Sequence, residues 1–146
     1  MGVVEQLLRD ERVKPNDDRQ LSLRLACRGG HIQVVERLLR DARVDPSAKS
    51  QGAVRLASAK GHAAIVERLL CDARVDPSIK DQRAMRMASE NGHLAVVRVL
   101  MRDERVSSDV AALRECIQLA RTNGHDDVVH CLQEHCAARE AAASGQ

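Results

Sequence analysis

The sequence predicts an all-α fold: a helical-repeat solenoid of about four and a half stacked helix-turn-helix units. Three observations predict it. First, Gly30 to Lys60 (GHIQVVERLLRDARVDPSAKSQGAVRLASAK) and Gly61 to Asn91 (GHAAIVERLLCDARVDPSIKDQRAMRMASEN) are near copies, each 31 residues long. Second, an apolar pattern at i, i+1, i+4, i+5 marks one face of a short helix and recurs along the chain. Third, a Gly-His pair separates the two helices of every unit.

The helix carrying the apolar pattern begins at Val3, Val4, Leu7, Leu8. It returns at Val34, Val35, Leu38, Leu39, then at Ile65, Val66, Leu69, Leu70, then at Val96, Val97, Leu100, Met101. It fades at Val128, Val129, Leu132, Gln133, where a polar residue ends the series. These are the expected outer helices. A terminal unit needs a polar outer face, which Gln133 would supply.

A turn follows each outer helix: Arg12 to Asn16, Arg43 to Ser47 and Arg74 to Ser78. Proline there lacks an amide donor and disfavours helix in the residue before it. The fourth turn, Arg105 to Asp109, has lost the proline. Polar stretches Lys49-Ser50-Gln51-Gly52 and Lys80-Asp81-Gln82-Arg83 are expected to be loops. Shorter inner helices come next, over Leu21 to Arg28, Ala53 to Ala59, Ala84 to Glu90 and roughly Ala111 to Thr122. Their small residues Ala26, Ala57, Ala88 and Ala120 permit close helix approach. Gly30, Gly61, Gly92 and Gly124 should close these helices in the left-handed conformation. His31, His62, His93 and His125 are then expected at the outer-helix starts, bonding local backbone.

Stacking also follows from burial. A lone helix pair leaves most of its apolar face in water, whereas neighbours on both sides can bury Ile65, Leu69 and Leu70 at roughly 1.5–3 kcal/mol each. The unit Gly61 to Asn91 has intact neighbours on both sides, so these three should be its best-buried residues.

The Gly-His-helix and Leu25-Ala26-Cys27-Arg28-Gly29-Gly30-His31 patterns resemble the ankyrin repeat from about Val3 to His135. Two departures stand out. The period is 31 where about 33 is usual, and the Thr-Pro-Leu-His opening is absent. Leu21-Ser22-Leu23-Arg24, Gly52-Ala53-Val54-Arg55 and Arg83-Ala84-Met85-Arg86 stand in its place. Arg24, Arg55 and Arg86 are expected to reach loop carbonyls or Asp45 and Asp76. The expected domain is 1–136: a half-repeat and first inner helix over 1–29, then units starting at 30, 61, 92 and 124. Residues 137–146 would extend the last helix and fray. Two readings of the first end stay open, a half-repeat cap or a piece of a longer array.

Composition narrows the function. The chain has no Phe, Tyr or Trp, so its core is aliphatic and it has no aromatic stacking platform for single-stranded nucleic acid. The 23 basic and 21 acidic residues are interspersed, giving no extended basic stripe for duplex DNA or anionic lipid. Five scattered cysteines and no apolar run of membrane length point to free thiols in an intracellular, cytoplasmic setting. No Gly-rich phosphate loop, HExxH or nucleophile-base pattern is present, so no enzyme and no cofactor are expected. His130, Cys131, His135 and Cys136 suggest zinc, but four ligands on one helix cannot converge tetrahedrally.

The resemblance implies a monomeric module binding another protein along the face made by loop tips and inner helices. Carried over position by position, the contact residues are Lys49, Ser50, Gln51, Ala59 and Lys60, then Lys80, Asp81, Gln82, Glu90 and Asn91. Arg28 and Asn123 flank them. A fragment or decaying segment of a larger array, with a purely structural role and no dedicated partner, is the alternative.

Overall fold

A computed structural model describes residues 18–145, without the side chains of residues 18, 19, 50 and 81. The expected first outer helix and first turn lie outside the described residues. The rest is helical: α1 (Asp18–Gly29), α2 (Ile32–Leu39), α3 (Ala48–Lys60), α4 (Ala63–Leu70), α5 (Ile79–Glu90), α6 (Leu94–Met101), α7 (Glu104–Ser107), α8 (Val110–Thr122) and α9 (Asp126–Ser144). No strand occurs among the described residues. The inner helices α1, α3, α5 and α8 pack side by side in one layer, and α2, α4, α6 and α9 form the layer behind.

The core runs between the layers as one continuous cluster. Outer helices supply Val35, Leu38, Ile65, Val66, Leu69, Val96, Val97, Leu100, Val128 and Leu132. Inner helices supply Ala26, Ala57, Ala88 and Ala120, whose short side chains bring the helices close. Ile65 and Leu69 are buried as expected, but Leu70 is only partly so and packs at the edge of the core. The turn valines Val44, Val75 and Val106 are fully buried, which the helical patterns did not suggest. Gln133 is exposed on the terminal unit.

The polar stretches are not free loops. α3 starts at Ala48 and α5 at Ile79, each five residues earlier than expected. Lys49, Gln51, Lys80 and Gln82 take positive φ of 56° to 63° inside these first turns. Such a conformation costs a non-glycine residue of order 1–3 kcal/mol and persists only where the surroundings impose it. Here the imposing group is the glutamine side chain. Gln51 Nε2 donates to the Arg74 carbonyl at 3.3 Å, and Gln82 Nε2 to the Val106 carbonyl at 3.3 Å. Gln20 Oε1 accepts from the Asp45 amide at 3.1 Å. These buried amides tie the starts of α1, α3 and α5 to a neighbouring turn.

The turns are internally braced. Asp41, Asp72 and Asp103 each pair with the arginine two residues on, Arg43, Arg74 and Arg105, at 2.6–2.9 Å. Arg74 Nη1 and Arg105 Nη2 also donate to the carbonyls of Val44 and Val75, one turn back in the stack. Asp45 and Asp76 accept from the backbone and hydroxyl of Ser47 and Ser78. They are thus occupied by serines, with Arg105 also 3.7 Å from Asp76. Of the expected arginine contacts, Arg55 does reach a carbonyl of the stretch read as a loop, its Nη2 donating to Lys49 at 3.0 Å, whereas Arg86 pairs with Glu115 on α8. Without its proline, the fourth turn winds into α7, with Asp103 capping its start and Asp109 capping α8.

The histidines do more than was expected of them. His31, His62, His93 and His125 occupy helix starts but make no capping bond. Three of the rings reach back to the preceding unit. His62 Nε2 lies 3.1 Å from the Arg28 carbonyl, His93 Nε2 3.0 Å from that of Ala59, and His125 Nε2 3.0 Å from that of Glu90. A carbonyl only accepts, so Nε2 carries the proton. Each ring also covers the preceding glycine. A Cβ on Gly61 (φ +81°) would fall 2.6 Å from His93, whereas one on Gly124 (φ +77°) meets nothing within 4 Å.

Gly124→Ala should therefore cost about 1–2 kcal/mol, the left-handed strain alone. Gly61→Ala should cost more, because it also displaces the His93 ring from its carbonyl, at about 1–3 kcal/mol. Urea denaturation of the two variants measures the difference; equal losses would show that the ring contact carries no stability.

Hydrogen bonds from Arg74 and Arg105 hold the Asp72 and Asp103 carboxyls below the ordinary value of 3.8. A lowered folded-state pKa gives stability that is present above the unfolded value and is lost as pH falls through the folded one. Melting temperature should accordingly drop as pH falls below about 4. The double variant Asp72→Asn, Asp103→Asn should melt lower at neutral pH and show a shallower acid loss. Both arginines are nearly half exposed, so added salt should shrink the difference.

Candidate docking face

The twelve expected contact residues separate into three groups. Arg28, Lys49, Lys60, Lys80, Glu90, Asn91 and Asn123 are exposed, and Ala59 is half-buried. Gln51 and Gln82 are 4% and 2% exposed, so they are not contact residues; their amides are the anchors described above. Ser50 and Asp81 have side chains outside the described set. Asn91 and Asn123 are also partly engaged, since each Nδ2 donates to the carbonyl four residues back at 2.8 Å.

The structure adds residues that the sequence reading passed over. Leu25, Leu56, Met87 and Leu119 occupy equivalent positions on α1, α3, α5 and α8. Leu25 is 54% exposed, and the other three are half-buried. They form an apolar column across the side of the inner layer that faces away from the outer helices. Met87 and Leu119 line a depression of about 260 Å³ together with Arg83, Arg86, Glu90 and Asn91. A second depression, about 350 Å³, lies beyond the Arg86–Glu115 pair and is bordered by Asp109, Ala111 and Ala112. The recurrence of Leu, Leu, Met and Leu was the available signal; core packing was the ordinary reading of it.

The C-terminal His and Cys residues are held apart. His135 Nε2 is 3.2 Å from the Ser107 carbonyl, and Arg139 Nη2 donates to Ser107 Oγ at 3.2 Å. Both side chains brace the turn that lost its proline. Cys136 is buried, and His130 pairs with Glu134 on the exposed side of α9. Among the described residues no three His, Cys, Asp or Glu side chains are grouped to hold a metal ion. Burial pushes the Cys27 thiol up to about 12 and that of Cys116 up to about 11, so both stay neutral. Cys71 is exposed at the end of α4. No helix of the described residues is long and apolar enough to cross a membrane.

An alkylating reagent at neutral pH should accordingly modify Cys71 first and leave Cys27 and Cys116 untouched until denaturant is added. Peptide mapping by mass spectrometry reads this directly, and early labelling of Cys27 would contradict the packing described for α1.

Comparison with known families bears on this architecture. No curated protein matches the chain closely enough to count as a relative. A family model described as ankyrin repeats (3 copies) matches residues 1–81, more than half of the chain. The described helices continue the same two-layer unit beyond that match through α9. The chain belongs to the ankyrin-repeat family.

Proposed function

We propose that this chain is a protein-interaction module that docks a partner across the exposed side of its inner-helix layer. Ankyrin repeats generally mediate binding between proteins, and the observation that carries the reading here is the column Leu25, Leu56, Met87, Leu119. Leu25 is exposed and Leu56, Met87 and Leu119 are half-buried at the same place in four successive units, and none of them belongs to the core between the layers. Around them stand the exposed Arg28, Lys49, Lys60, Lys80, Glu90, Asn91 and Asn123, with Ala59 between and Ser50 and Asp81 on the same stretches. The chain is proposed to act as a monomer, without catalysis. The proline-less fourth turn is held by His135 and Arg139, which supports a working array over a decaying one.

The test is affinity purification with mass spectrometry, comparing the native chain, the double variant Leu25→Glu, Met87→Glu and the rear-face variant Arg98→Glu. Proteins captured by the native chain should be lost with the first variant and kept with the second, at unchanged circular dichroism. Equal capture by all three would remove the inner face as the docking surface.

A further inference from the structure

The charge of this chain is sorted between its layers. Helices α1, α3 and α5 contain nine Lys or Arg and three Asp or Glu, a local excess of six positive charges where the whole chain carries +2. Many of the acids are held elsewhere, though Glu90 stands exposed among the inner-layer bases. Asp72 and Asp103 are bound to arginines in the turns, Asp45 and Asp76 to serines, and Glu67 to Arg102 on the rear. On the inner layer, Arg28, Lys60, Lys80 and Arg83 are exposed and make no side-chain ion pair among the described residues. Lys80 and Arg83 lie toward one end of the inner helices, and Arg28 and Lys60 lie at the other. The apolar column runs between them.

We infer that this face takes an acidic segment of a partner protein that carries apolar side chains at regular intervals; the inference rests on the inner face being the docking surface. The column supplies sites for apolar anchors, and the two basic margins meet carboxylates on either side of them. Neighbouring helices stand roughly 8–10 Å apart, so anchors must recur at that distance. A polyproline-II segment meets this with an apolar residue every third position, because three residues per turn at ~3.1 Å per residue return every third side chain to the same face. The 260 Å³ depression beside Met87 and Leu119 offers a place for one anchor, with Arg83 in its lining to meet a carboxylate. Glu115 already occupies Arg86 from the next unit, the contact an incoming acid would make.

The test uses the full chain and fluorescence anisotropy with labelled synthetic peptides. One peptide has leucine at every third position and glutamate between; a second has glutamine in place of glutamate; a third has lysine. A uridine-rich RNA and phosphatidylserine vesicles complete the set. The acidic peptide should bind at least about tenfold tighter than the other two and weaken as salt rises. The variant Arg28→Glu, Lys60→Glu, Lys80→Glu, Arg83→Glu should lose that preference while keeping its melting transition. Equal binding of the acidic and glutamine peptides, or tighter binding of RNA or vesicles, would overturn the inference. If the acidic preference is missing while partner capture still depends on Leu25 and Met87, the docking surface stands and only the partner chemistry falls. If capture is also indifferent to those residues, both fall.

Discussion

His62, His93 and His125, which open three of the outer helices, each lie on the glycine that closes the inner helix one unit back and bind a carbonyl there. Most of the architecture depends on this contact. Glycine is needed twice over, once for its left-handed backbone and once because the ring occupies the space of a Cβ. The ring in turn satisfies a carbonyl at the end of an inner helix, where no amide within the helix is available to it. The contact fixes the lateral offset between units, and with it the alignment of the inner helices. Leu25, Leu56, Met87 and Leu119 recur at equivalent positions, and the same bond sets each of the last three inner-helix junctions.

Two further links repeat at the opposite end of the unit. The buried glutamines hold the starts of α1, α3 and α5 to the turns, and the turn arginines reach carbonyls one unit back. These links let the repeat manage with 31 residues. A stretch that would otherwise loop out is wound into the first turn of the inner helix, with positive φ at Lys49, Gln51, Lys80 and Gln82 as the cost. The unit is therefore pinned at both ends, by imidazole at one and by amide and guanidinium at the other, with an aliphatic core between.

Much of this was legible in the sequence, because repetition multiplies a weak signal. A single Val-Val-x-x-Leu-Leu is ambiguous, but four at one spacing define a layer. What the sequence hid were roles that share one residue type. Gln51 looks like any polar loop residue, and only its recurrence with Gln20 and Gln82 marks it as an anchor. Asp72 and Arg74 read as surface charge, though the same pair stands at Asp41 and Asp103. The charge balance was misread for a different reason. Counted along the chain, acids and bases alternate; they separate into layers only once each is assigned to a helix or a turn.

The links between units have one more consequence, which concerns how such a chain changes length. Each spans a fixed interval: histidine to carbonyl over 34 or 35 residues, turn arginine to carbonyl over 30. Each joins a unit only to its immediate neighbour. Excising one 31-residue block, or inserting a second copy of it, would bring equivalent donors and acceptors back into register on both sides of the seam. The near identity of Gly30 to Lys60 and Gly61 to Asn91 is the trace such a duplication leaves. The open space over Gly124, where the next ring would lie, is where a lengthened array would continue.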